Sequence, residues 1–184
     1  MINYTEIAGN NLWLPYTPML NHLPQLPIKT AKGCKIFLQN GDVLLDGISS
    51  WWSVAHGYQH KHLVSAITRQ AKNLSHIMLA GFANEQTYKL SYRLCKFSDM
   101  DAVFFSDSGS TAIEVAMKIA WQFFYNQKQH NKKYFVSFAN SYHGDTTGAM
   151  SLADLQQGMH KKFKNLLLRN FNLPLPHYRW FYYL

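Results

Sequence analysis

The chain has 184 residues, of which 47% are apolar, 15% aromatic and 15% charged. This composition excludes a disordered or low-complexity chain, which would be poor in aromatic residues. No apolar run approaches the roughly 18 residues that span a bilayer. The net charge of +8 is compatible with an anionic partner, but no groove-reading motif accompanies it. We therefore expect neither a nucleic-acid nor a membrane partner.

The first thirty residues contain four of the six prolines, at positions 15, 18, 24 and 27. Proline fixes φ and withholds a hydrogen-bond donor, so this segment is predicted to be an extended arm. Residues 35–39 and 42–46 follow and flank Asn40-Gly41. Asn-Gly favours a type I′ turn, which predicts a tight β-hairpin.

The segment after Asp46 has neither helical nor alternating periodicity and is predicted to be a loop. It contains Trp51 and Trp52, which either pack into the core or line an apolar pocket. The histidines at 56, 60 and 62 lack the spacing of the common zinc motifs, so we expect no metal. Cys34 and Cys95 form no CxxC motif, and the first ten residues do not resemble a secretory signal. We expect a cytoplasmic protein with reduced thiols.

The rest of the pattern predicts an α/β arrangement with a mostly parallel sheet, because strands and helices alternate along it. Ligands bind beyond the carboxyl ends of the strands in such sheets, which places the loops 106–111 and 140–147 at a site. The predicted elements are helices over 61–73, 84–97 and 110–127, buried strands over 101–107 and 134–140, and a short helix after Asp145.

The motif Ser106-Asp107-Ser108-Gly109-Ser110-Thr111 precedes the longest predicted helix. Free N–H groups at a helix N-terminus hold an anion, and a glycine lets the backbone approach a phosphate closely. The alternative is that Ser108 or Ser110 only caps the helix. No GK[ST] follows, so the motif does not indicate ATP.

A second motif, residues 142–146, follows the last predicted strand. The ring of Tyr142 is suited to stacking on a planar cofactor. Asp145 either binds a cationic group or caps the next helix, and the local pattern favours capping.

Together, these motifs and three further segments resemble the class III aminotransferases, and within that family the biotin-synthesis branch. The segments are WLPYTPM (13–19), LLDGISSWWSVAHGYQH (44–60), SHIMLAGF (75–82), VFFSDSGSTAIEVAMKIA (103–120) and NSYHGDTTGAMSL (140–152). The resemblance covers about residues 11–152 and is expected to fade after Leu152. It implies fold type I, the cofactor pyridoxal 5′-phosphate and a homodimer with sites at the interface.

The resemblance also implies roles for single residues. Gly109 and Ser110 would hold the cofactor phosphate, Tyr142 would stack on the pyridine ring, and Asp145 would organise the site. The substrate pocket would be shaped by Tyr16, Trp51 and Trp52. The implied reaction moves an amino group from S-adenosylmethionine to 8-amino-7-oxononanoate, giving 7,8-diaminononanoate. Two alternatives stay open: another class III ω-amino-acid aminotransferase, and a non-catalytic remnant.

The chain departs from the family in its length, which is less than half that of the members. It is expected to comprise an arm and hairpin (1–46), the start of the large cofactor domain (47–152) and a divergent tail (153–184) that reflects truncation or a frameshift. We identify no catalytic residue, because no lysine stands in the context of the one that binds the cofactor covalently. We therefore expect a poorly stable chain that does not catalyse the reaction alone.

Overall fold

The structure is a computed structural model that describes residues 11–20, 24–156 and 159–175. The chain divides into two compact units, Met1–Asn84 and Glu85–Leu184, and each is described by itself. Among the described residues, no helix has both the length and the apolar character needed to cross a membrane.

The first unit contains an antiparallel sheet in the order β1-β2-β3. Its strands are β1 (Ile28–Lys32), β2 (Lys35–Leu38) and β3 (Val43–Leu45). The predicted hairpin is confirmed, with Lys35 opposite Leu45 and Phe37 opposite Val43. The prediction of an irregular arm up to residue 30 is wrong at its end, because β1 begins directly after the last proline of the arm and pairs with β2.

The turn of the hairpin is not of the predicted type I′. That type needs a positive φ at both central residues, whereas Gly41 has φ +97° and Asn40 has no positive φ. The Leu38 N–H donates to Asp42 O (2.9 Å) and the Gly41 N–H to Leu38 O (3.2 Å), which defines a three-residue loop. The Asn40 side chain accounts for the difference, since its Oδ1 accepts from the Asp42 N–H and its Nδ2 donates to Asp42 Oδ2.

The three long helices are confirmed to within one residue at either end. They are α1 (Lys61–Asn73), α2 (Glu85–Ser98) and α3 (Gly109–Asn126). Neither α1 nor α2 has a buried residue, so their apolar stripes lie uncovered in the described chain. In α3, Met117 is buried.

The predicted buried strand over 101–107 is wrong, because this segment forms no regular element and Phe104 is 68% exposed. The other predicted strand is shorter than expected: β4 (Val136–Phe138) has only Ser137 buried. It pairs in parallel with β5 (Phe171–Leu173), which was not predicted. The predicted short helix is present as α4 (Thr147–Met150), and a 3₁₀ helix covers Met159–Leu166. Among the described residues of this unit, the buried apolar side chains are Met117, Ala149, Met150 and Ala153.

Candidate functional site

The N-terminus of α3 is built by a reciprocal cap. The Thr111 N–H donates to Ser108 Oγ (3.2 Å), and the Ser108 N–H donates to Thr111 Oγ1 (3.0 Å). Ser108, one of the two serines that the capping interpretation named, is therefore the residue that caps α3. The N–H groups of Gly109 and Ser110 have no partner in the described part of the chain, and a Cβ added at Gly109 would meet nothing within 4 Å. Two donors without a described partner thus lie at the positive end of an 18-residue helix, and the space beside Gly109 is open.

Ser110 connects this helix terminus to the loop that follows β4. Its Oγ accepts from the Asp145 N–H at 3.0 Å, which leaves the serine hydroxyl proton available for another acceptor. Gly144 lies against the same side chain with φ +122°, and a Cβ at this position would overlap Ser110 Oγ. The two sequence motifs are therefore in direct contact through Ser110.

One turn further along α3, Glu114 binds the start of α4. Its Oε1 accepts from the Gly148 N–H at 3.0 Å. The nearby Thr146 hydroxyl, followed by the Gly148 N–H, lowers the pKa of Glu114 from its ordinary value of 4.5. Thr146 Oγ1 is buried, and its approach to the carboxylate falls short of hydrogen-bond geometry. The Gly148 backbone lies so close to Glu114 that a Cβ there would meet Glu114 Cδ at 2.8 Å.

Tyr142 and Asp145 meet at a residue that was not predicted, His160. The Nε2 of His160 lies 3.0 Å from Asp145 Oδ1, and the His160 ring stacks on Tyr142 with centroids 5.8 Å apart and planes inclined by 25°. Partial burial raises the pKa of the Tyr142 phenol, and the Asp145 carboxylate raises it further. The expectation that Asp145 caps the next helix is wrong. Thr146 occupies that position without a side-chain cap, while the Asp145 carboxylate binds His160.

In the first unit, two of the predicted pocket residues are in contact. The rings of Tyr16 and Trp51 lie 5.5 Å apart at an angle of 48°. Trp51 is 60% exposed and Trp52 is 79% exposed. Neither tryptophan packs into a core of the described chain, and the lining of a substrate pocket by these residues stays a prediction.

The tryptophans belong to a left-handed turn, Ser49–Trp52, in which four consecutive residues have φ between 47° and 64°. Such a backbone costs about 1–2 kcal/mol per L-residue. The Asp46 carboxylate holds the turn, because it accepts from the Ile48 N–H (3.1 Å) and from the Tyr58 hydroxyl (2.7 Å). The Tyr58 hydroxyl is the main cause that lowers the pKa of Asp46 from 3.8, and the backbone N–H groups of Ile48, Ser50 and Ser49 lower it further.

Four residues that the structure brings into these contacts were missed by the sequence analysis: Asp46, Tyr58, Glu114 and His160. Asp46 was assigned only to the end of a strand. His160 stands next to the basic stretch 161–169, a context typical of exposed surface. No local signal marked Asp46 and Tyr58, because the left-handed backbone that they support is visible only in the structure. Nothing in the sequence pointed to His160.

Comparisons with known proteins bear on the whole chain. The model of the family described as aminotransferase class III matches residues 17–180. The match continues well past Leu152, so the expectation that the resemblance fades there is wrong.

Curated relatives named adenosylmethionine-8-amino-7-oxononanoate aminotransferase align with most of the chain. The Synechococcus elongatus protein is 40% identical over 172 residues, which are 92% of this chain and 40% of the relative. The Saccharomyces cerevisiae protein is 38% identical over 173 residues, which are 90% of this chain and 36% of the relative. The chain thus spans about two fifths of the length of these relatives.

Solved structures give the same relationship. The adenosylmethionine-8-amino-7-oxononanoate aminotransferase of Methanocaldococcus jannaschii superposes with a TM-score of 0.85 at 30% identity, covering 95% of this chain and 41% of that one. The omega transaminase of Pseudomonas jessenii in complex with PMP superposes with a TM-score of 0.82 at 26% identity, covering 98% of this chain and 41% of that one.

Proposed function

This chain belongs to the class III aminotransferase family and has the predicted fold type I architecture, and from that premise we propose that its second unit binds pyridoxal 5′-phosphate. The observation that carries the proposal is the open N-terminus of α3. Two unpartnered N–H donors there stand beside the hydroxyl of Ser110, and Ser110 is bonded to the loop that contains Tyr142 and Asp145. A dianionic phosphate suits this set of donors.

We assign the phosphate to the N–H groups of Gly109 and Ser110 and to the Ser110 hydroxyl. The ring of Tyr142, 59% exposed, offers a face for the cofactor ring, and Asp145 supplies a negative charge held in place by its backbone and its side chain. When bound, the cofactor acts as an electron sink for amino transfer, and the role of these residues is to bind and orient it.

For the whole protein we propose the transfer of an amino group from S-adenosylmethionine to 8-amino-7-oxononanoate. Relatives of that name at 36–40% identity support this over other donors. Tyr16, Trp51 and Trp52 would form walls of the substrate pocket, because exposed aromatic rings suit a long, mostly apolar acceptor. An ω-amino-acid aminotransferase is the second candidate, supported by the similarity to the omega transaminase structure. A chimera with the remainder of a relative, assayed with S-adenosylmethionine and with simple amines, distinguishes the two.

We also propose that the partner is a second copy of this chain and that the protein is cytoplasmic. The exposed apolar side chains of α1 and α2 support a covering partner, and the free thiols of Cys34 and Cys95 support a reducing compartment. We expect cofactor binding but no turnover by this chain alone. Light scattering of the purified chain, with and without a longer homologue, tests the partner.

The cofactor site is tested with pyridoxamine 5′-phosphate, a probe that cannot react with stray lysines. We expect saturable binding by calorimetry, and at least tenfold weaker binding by Gly109→Val, whose side chain would occupy the space that Gly109 leaves open at the helix terminus. Gly47→Val is the matched control, since a Cβ there also meets nothing within 4 Å. Equal affinity for the chain and for Gly109→Val would refute the phosphate assignment.

A further inference from the structure

The burial of the His160 side chain requires a physical explanation. The residue is 4% exposed, although it precedes a run of basic residues. Burial of an imidazole without a hydrogen bond costs free energy, and His160 Nε2 has its partner in Asp145 Oδ1 at 3.0 Å. The contact joins the start of the 3₁₀ helix to the loop of the candidate cofactor site across 15 positions of the chain.

The chemistry of the pair sets the direction of this hydrogen bond. An ionised carboxylate only accepts, so the hydrogen lies on Nε2 of the imidazole. Asp145 is thereby held at two points: Ser110 Oγ accepts from its backbone N–H, and His160 donates to its side chain. The side chain of His160 is 6% exposed and that of Asp145 is 43% exposed, so the buried partner anchors the accessible one.

The same imidazole supports the ring that is proposed to meet the cofactor. Its plane is inclined by only 25° to that of Tyr142, at a centroid distance of 5.8 Å. Stacked rings of this kind restrict each other and attract each other beyond the effect of burial alone. One side chain therefore orients both the exposed ring and the exposed carboxylate of the site.

We propose that His160 is a positioning residue of the cofactor site, acting through Asp145 and Tyr142 without touching the cofactor. The proposal rests on the proposed function, because a positioning role presupposes the cofactor site. The hydrogen bond between His160 and Asp145 is testable without any cofactor. It assigns a role to a residue outside both sequence motifs. It also predicts that the donor atom of His160, and not only its bulk, is required.

The first test follows the imidazole proton itself. In the full chain labelled with ¹⁵N-histidine, we expect an Nε2–H proton that is protected from exchange with water, and we assign it by its disappearance in His160→Gln. The signal should vanish in Asp145→Ala, because its acceptor is gone. An unprotected Nε2 in the unsubstituted chain, or a signal unchanged in Asp145→Ala, would overturn the proposal.

The second test measures the affinity for pyridoxamine 5′-phosphate. We expect His160→Ala to bind at least tenfold more weakly, and His160→Gln to recover affinity to within about threefold, since the amide nitrogen of glutamine replaces Nε2 as a donor. His160→Phe keeps a ring but lacks a donor and should stay weak. The control is His62→Gln, an exposed position on α1.

The outcomes separate the two claims. If the unsubstituted chain binds the probe and all His160 variants bind it equally well, the positioning role is refuted and the cofactor site stands. If the unsubstituted chain does not bind, the proposed function fails and the protected proton alone decides whether His160 positions Asp145. Should His160→Ala fail to fold, the comparison of His160→Gln with His160→Phe decides, because only one of them keeps the donor.

Discussion

Ser110 illustrates how a single side chain serves both structure and chemistry in this protein. Its Oγ accepts the Asp145 N–H, and its neighbour Gly109 leaves the helix terminus open. Sequence analysis could predict that the loops of Gly109–Ser110 and of Tyr142–Asp145 lie close together, because ligand-binding loops gather at the same ends of strands and helices. It could not predict the individual contacts, since these depend on side chains such as His160 that carry no local signal.

Gly144 and Gly148 should not tolerate a side chain. Gly144→Ala places a Cβ on Ser110 at φ +122°, and we expect it to lower the free energy of unfolding by about 2–4 kcal/mol. Gly148→Ala collides with a flexible carboxylate and should cost less, about 1–3 kcal/mol. Gly47→Ala, with open space and no positive φ, is the control. Urea unfolding gives the free energy of unfolding of all three variants. Equal urea midpoints for them would contradict the close packing at Gly144 and Gly148.

Glu114 should make the stability of the second unit depend on pH. Its folded-state pKa is lowered, so its contribution is fully present above its ordinary value of 4.5 and is lost as the pH falls through the lowered pKa. We expect Glu114→Gln to flatten the decrease in the urea midpoint between pH 6 and pH 3. Asp101→Asn, at an exposed position in the same unit, is the control. A Glu114→Gln profile as steep as that of the unsubstituted chain would refute this assignment.

At the scale of elements, helices were predictable and strands were less so. The stripes of α1, α2 and α3 are local patterns with a period of 3.6 residues, which a sequence displays directly. A strand needs a partner, and residues 101–107 have none in the described chain, despite a strongly apolar sequence. The partner of β4 is β5, whose three residues, Phe171–Leu173, are too few to show a period.

The left-handed turn depends on the bond between Tyr58 and Asp46. Removing the hydroxyl with Tyr58→Phe deletes the 2.7 Å bond, and we expect faster hydrogen exchange at the Ile48 amide and a weaker near-ultraviolet circular dichroism signal from the Tyr16–Trp51 pair. Tyr88→Phe, on the exposed face of α2, is the matched control. The turn is held in some other way if Tyr58→Phe and Tyr88→Phe behave alike.

The whole molecule exposes apolar side chains on elements that are themselves well formed. Phe97 of α2 is 91% exposed and Ile67 of α1 is 69% exposed, while no large side chain among the described residues is completely buried. Monomeric soluble proteins rarely present such surfaces in contiguous patches. The sequence predicted which helix faces are apolar, and the described chain does not contain the residues that would cover them.

The purified chain is therefore expected to associate. We expect a mass well above 21.3 kDa by light scattering at micromolar concentration, together with strong binding of a hydrophobic dye. Association should persist or increase between 0.1 and 0.5 M salt, because salt does not screen apolar contacts. The electrostatic interactions of the +8 net charge, in contrast, are screened. A dye-negative monomer with a cooperative thermal transition would contradict this prediction.

The turn at Ser49–Trp52 has a further consequence for chemical synthesis. Its backbone lies in the region that D-amino acids prefer, since that region mirrors the right-handed one. Over these four residues the backbone has the left-handed conformation that is the mirror image of the right-handed helical one. Semisynthetic incorporation of D-serine at position 50 should therefore fit a backbone that L-serine adopts only at a cost. Glycine, being achiral, is the nearest substitute that the genetic code offers for this position.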